Sequence, residues 1–150
     1  MKKAVASPSP SPRGERALES LVQAAKEARQ RAYAPYSKYR VGAAILTRSG
    51  KVFTGCNVEN STYGATICAE RTAVVKMISS DERDPVLCVV ATAGPEPGSP
   101  CGICRQVLSE FASDMRIILV APRARRETTL AALLPDAFSS RALVGVRERA

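Results

Sequence analysis

The chain has 150 residues and a formal net charge of +8, from 22 lysines and arginines against 14 aspartates and glutamates, with five cysteines and no histidine. That length suits one domain with a proper core, and no stretch approaches the ~20 apolar residues that cross a bilayer. Without histidine, any metal site must be built from thiolates and carboxylates.

The basic excess sits at the ends. The segment through Arg13 carries Lys2, Lys3 and Arg13, and the chain from Ala121 onward sets six arginines against Glu127, Asp136 and Glu148. Between them stand 13 basic and 11 acidic residues. No aromatics alternate with basic residues as a single-strand stacking groove requires, so neither a nucleic-acid nor a membrane partner is expected.

The opening MKKAVASPSPSPRG has no apolar run and is not expected to act as a secretory signal. Its alternating Ser and Pro favour an extended, disordered tail over residues 1–13. The folded domain is expected over 14–140, with a basic tail over 141–150. RALESLVQAAKEARQRAY spaces Leu18, Leu21, Val22, Ala25 and Ala28 as one face of a helix that Pro35 stops. After the loop APYSKYR, VGAAILT and KVFTGCNV read as two strands joined at Ser49-Gly50. The polar ENSTYGAT leads into a second helix that begins near Cys68, with Ala69, Ala73, Val74, Met77 and Ile78 as its apolar stripe.

PVLCVVATA is a buried strand in which Cys88 is a small core residue. The loop GPEPGSP follows, then a third helix from Cys101 to Phe111 that buries Ile103, Val107, Leu108 and Phe111. RIILVAP is another buried strand, Arg126 to Thr128 a short polar one, and LAALL a helical turn or two. Strands alternating with helices predict an α/β domain, a sheet covered by helices.

Two motifs carry the chemistry: Cys68-Ala69-Glu70, and Cys101 with Cys104 in PCGIC. A C-x-x-C pair plus one distant cysteine gives three sulfurs and an open fourth position, the pattern of a catalytic zinc rather than a closed structural one. Glu70 is placed to move protons beside a water held there. The combination matches the zinc-deaminase signature, with cysteine where other members use histidine. Both motifs open helices, whose N-termini favour thiolate over thiol. Three thiolates leave the zinc centre at −1, so Arg71 and Arg105 are expected to donate hydrogen bonds to the sulfurs. The non-catalytic alternative is a structural zinc module with Cys56 as fourth ligand. Three cysteines committed to metal leave no disulfide framework, which suits a reducing cytoplasm.

These motifs resemble the cytidine deaminase family in its small, three-cysteine form. The match runs from about Arg16 to Phe138, through YSKYRVGAAI, GCNVENSTYGATICAERTA, SPCGICRQVLSEF and LLPDAF. The resemblance implies a three-layer α-β-α fold with a five-stranded mixed sheet, and one zinc per subunit on Cys68, Cys101 and Cys104. It implies hydrolysis of cytidine and 2′-deoxycytidine to the uridines plus ammonia, in pyrimidine salvage, with Glu70 as proton shuttle. It puts Asn57 and Glu59 on the ribose and Ala69 against the substrate. The family's base-stacking phenylalanine is Tyr39 here. Tyr63 and Phe138 match residues that reach a neighbouring subunit's site, so the resemblance implies a homotetramer with shared active sites. Thr66 stands where glycine is usual and is expected to alter the loop approaching the base. The nearest rival is a deaminase of a modified cytosine nucleoside such as blasticidin S.

Overall fold

A computed structural model describes residues 12–143. The Ser/Pro tail expected over 1–13 lies outside the described residues except for its last two, and so does the basic tail beyond Leu143. Helix α1 spans Pro12–Gln30, strand β1 Val41–Thr47 and strand β2 Val52–Cys56. Helix α2 spans Ala69–Ser79, β3 Pro85–Thr92 and α3 Gly102–Ser109. Strand β4 covers Arg116–Val120, β5 Arg125–Thr129 and the one-turn α4 Leu130–Leu133. This is the expected order of elements.

The strands form one mixed sheet in the order β2-β1-β3-β4-β5. Only β3 and β4 are parallel, because α3 carries the chain back between them. The β1–β2 hairpin turns at Gly50, whose φ of 88° lies in the left-handed region. Alternation along the strands divides the core in two. Ala44, Val89, Ala91, Ile118 and Val120 face α1 through Leu21, Val22 and Ala25. Ala43, Ile45, Val90, Ile117 and Leu119 face the opposite way, toward α2 and α3. The result is the three-layer α-β-α fold, with Cys88 fully buried in the second core.

Two expectations need correction. α1 ends at Gln30 and not near Tyr33, because Arg31 and Ala32 turn back onto the carbonyls of Ala28 and Arg29 while the Tyr33 N–H is captured by Asn57 O. Ile103 is not in the core. It is 62% exposed in the first turn of α3, whose buried residues are Cys104 and Leu108.

Candidate metal centre and active site

Cys68 is the N-cap of α2 and Cys101 the N-cap of α3. Neither side chain caps its own helix, so both sulfurs are left for another partner. Cys104, one turn into α3, comes round on the same face as Cys101. The three sulfurs lie within 4.8 Å of one another, and those of Cys68 and Cys101 are 3.8 Å apart. Tetrahedral zinc with Zn–S near 2.3 Å requires sulfurs about 3.8 Å apart, so the cage fits that ion. Cys56, at the end of β2, is not part of the cage, which removes the four-sulfur alternative.

The electrostatics agree with the geometry. The hydrogen bond from Cys104 draws the Cys68 thiol down to about 5, with further help from Arg71 and Cys101. Cys104, bonded to that thiolate and buried, is pushed far up. The cage thus keeps one charge ready and holds the next proton until a cation displaces it. Arg71 Nη2 lies 3.5 Å from Cys68 Sγ and donates to Thr66 O at 3.0 Å, while its Nε is buried without a partner. A cationic donor set against the sulfurs offsets the negative charge of a trithiolate centre. Arg105 does something else than expected. It donates to Pro100 O at 2.8 Å and Leu133 O at 2.9 Å, and so fixes the peptide ahead of Cys101.

Glu70 is 4% exposed at the start of α2. Burial pushes its carboxyl above the ordinary carboxylate range, and the charge on Cys68 adds to the shift. It opens onto a cavity of about 280 Å³ whose wall includes Cys68, Ala69, Cys101, Tyr39, Asn57 and Glu59. The cavity sits at the C-terminal end of β3 and the N-terminal end of β1, which run antiparallel and pair Thr92 with Val41.

Most of the other expected residues gather there. Asn57 is buried, and its amide is engaged with main chain: Oδ1 accepts from Val41 N at 2.8 Å and Nδ2 donates to Tyr39 O at 2.9 Å. That clip holds Tyr39 at the cavity, just after Lys38, which adopts a left-handed φ of 59°. Glu59 accepts from Tyr36 N at 2.9 Å and Ser37 N at 3.2 Å, and makes a short bond with the Ser37 hydroxyl. The Ser37 hydroxyl in particular holds its carboxyl below the usual range. Thr66 also lines the cavity, its Oγ1 accepting from Asn60 N at 3.2 Å.

Tyr63 and Phe138 are not in this cavity. They are 74% and 62% exposed, Tyr63 edge-to-face with Tyr36 at 5.7 Å between ring centroids. Ser37, Thr92 and Ser99 line the cavity without having been singled out in the sequence. Ser37 had a signal, its place between the loop turn and Tyr39; the other two had none.

Residues 15–121 match the profile of the family described as cytidine and deoxycytidylate deaminase zinc-binding region. The chain belongs to this family. Among curated deaminases, it is 50% identical over 126 residues to cytidine deaminase of Sporosarcina psychrophila, covering 81% of this chain and 91% of that protein. The probable cytidine deaminase of Dictyostelium discoideum is 44% identical over 134 residues, covering 88% and 90%. The crystal structure of cytidine deaminase from Burkholderia pseudomallei superposes with a TM-score of 0.77 at 44% identity, covering 80% of this chain and 98% of that one. A zinc-binding deaminase domain accounts for the cage and for the carboxyl beside it.

Proposed function

We propose that this deaminase hydrolyses the exocyclic amine of cytidine and 2′-deoxycytidine, giving the uridines and ammonia, and serves pyrimidine salvage. The observation that carries the reading is a trithiolate cage opening, beside a buried carboxyl of raised pKa, onto a nucleoside-sized cavity. Cys68, Cys101 and Cys104 hold the zinc, which when bound supplies the acidity that makes water a nucleophile at neutral pH.

Glu70 carries one proton from the attacking water to ring N3, then the second, from the hydroxyl now on C4, to the amine, which departs as ammonia and leaves the C4 carbonyl. A carboxyl whose burial raises its pKa is suited to both halves of that task. Arg71 draws charge off the sulfurs. Glu59 accepts from the ribose, and Asn57 uses the N–H that its main-chain clip leaves over. Tyr39 presents its ring to the base and Ala69 lies against it.

Tyr63 and Phe138, exposed in the single chain, complete the site of a neighbouring subunit in a homotetramer, a reading supported by the further exposure of Tyr33, Ile67 and Ile103. Five free cysteines favour a cytoplasmic setting. The reading is tested by absorbance assays of zinc-loaded protein on cytidine, deoxycytidine, cytosine, adenosine and blasticidin S in parallel. Turnover of the first two alone is expected; turnover of blasticidin S alone overturns the substrate assignment.

A further inference from the structure

We propose that Arg29, on the far face of the sheet from the cavity, is a positioning residue: it fixes the Thr92 carbonyl and thereby holds loop 93–99 as one wall of the active site. The proposal rests on the deaminase reading of the cavity.

The chain of contacts starts at Gly42. A Cβ there would lie 2.1 Å from Ala25 O and 2.3 Å from Arg29 N, so α1 rests on β1 at main-chain distance. In β1 and β3, Val41 and Gly42 pair with Thr92 and Ala91. The close approach lets Arg29 reach past β1, and its Nη1 donates to Thr92 O at 2.5 Å. A guanidinium bonded to a carbonyl is a strong, directed anchor.

Thr92 is 2% exposed, and its side chain lines the cavity. Its hydroxyl lies 3.4 Å from Glu96 O, Val120 O and Gly98 N, so the loop folds back over it. Tyr39 in turn rests on the loop. A Cβ at Gly98 would meet Thr92 Cγ2 at 2.9 Å and Tyr39 Oη at 3.0 Å, and one at Gly94 would meet Tyr39 Cε2 at 3.4 Å.

The loop has no helix or strand of its own and depends on its anchors. Its far end is held separately, by Arg126 Nη2 on Ser99 Oγ at 2.9 Å and by Arg105 on Pro100 O. Arg29 therefore governs the Thr92 end and the wall under Tyr39, while the sulfurs and Glu70 stand on α2 and α3. Its loss should weaken substrate binding and leave the chemistry intact.

The test is amide exchange of loop 93–99 in zinc-loaded Arg29→Met and Arg29→Lys, together with steady-state kinetics on cytidine. Arg29→Met is expected to speed exchange at Gly98, whose N–H bonds the Thr92 hydroxyl, and to raise KM, each by about tenfold, the scale of one lost charged hydrogen bond. Its kcat and zinc content should stay within about twofold, and Arg29→Lys, which keeps the charge without the fork, should fall between. Loop exchange and KM at wild-type values, or a loss confined to kcat or to zinc, would overturn the proposal. If Arg29→Met does not fold, the same loop exchange and KM in Arg29→Lys decide it. Wild-type protein inactive on cytidine would refute the deaminase reading instead, while the exchange data would still report on the anchor.

Discussion

Gly55→Ala tests whether the fold itself sets the cage. Gly55 is buried in β2, and a Cβ there would lie 2.3 Å from Ala69 O and 2.5 Å from Ala73 N, both main-chain atoms of α2. Contact becomes ordinary only beyond 3.4 Å, so α2 must retreat from the sheet by about 1 Å. Overpacking of this kind costs about 1–3 kcal/mol, which at this size lowers Tm by roughly 3–10 °C. The same retreat carries Cys68, the N-cap of α2, away from Cys101 and Cys104. Zinc affinity should then fall on the order of tenfold to a hundredfold, as when the groups orienting a ligand are disturbed. The assay is chelator competition alongside thermal melting, with Gly64→Ala, which would meet nothing within 4 Å, as the neutral comparison. A Gly55→Ala protein with wild-type Tm and zinc affinity would refute the reasoning.

Four further outcomes are expected. Asp81 has φ 58° just past α2, where the Glu82 N–H bonds Met77 O and the Asp81 N–H bonds Ile78 O, a Schellman cap with a non-glycine residue in the left-handed position. Asp81→Gly should therefore stabilise the protein by about 0.5–1 kcal/mol in denaturant melts, and destabilisation would contradict the strain argument. In zinc-stripped protein, iodoacetamide should label Cys68 with a midpoint near pH 5, because the lowered pKa keeps the thiolate present above that pH. Cys88, whose thiol burial pushes up, should stay unlabelled; a Cys68 midpoint near the ordinary thiol value of about 8.5 would contradict this. Arg71→Met removes the donor at Cys68 Sγ and should weaken zinc binding by about 10–100-fold in the same chelator titration, unchanged affinity being the contrary result. Glu70→Gln should keep its zinc and lose turnover, and retained turnover would contradict the proton-shuttle role.

The sequence carried those parts whose causes are local. Period-two and helical patterning gave the five strands and main helices, Ser49-Gly50 the hairpin, and the two cysteine motifs the cage at two helix N-termini. What it hid were choices made by distant partners. The end of α1 depends on Tyr33 N meeting Asn57 O, which no local pattern encodes. Arg105 stands beside a ligand in sequence, yet its rotamer points to carbonyls of the 100 and 133 peptides. Ile103 has the chemistry of a core residue, but none of the described residues covers the first turn of α3 at that position. Arg29 is by pattern one more charge in the last turn of α1, and only the close approach at Gly42 brings it to Thr92.

The most direct test of the central claim is to measure cytidine turnover and bound zinc together in wild type and Glu70→Gln. With Glu70 as proton shuttle beside a cage it does not belong to, the variant should keep one zinc per chain and lose kcat by about 10²–10⁴-fold. A zinc-loaded Glu70→Gln within about tenfold of wild type would contradict the account.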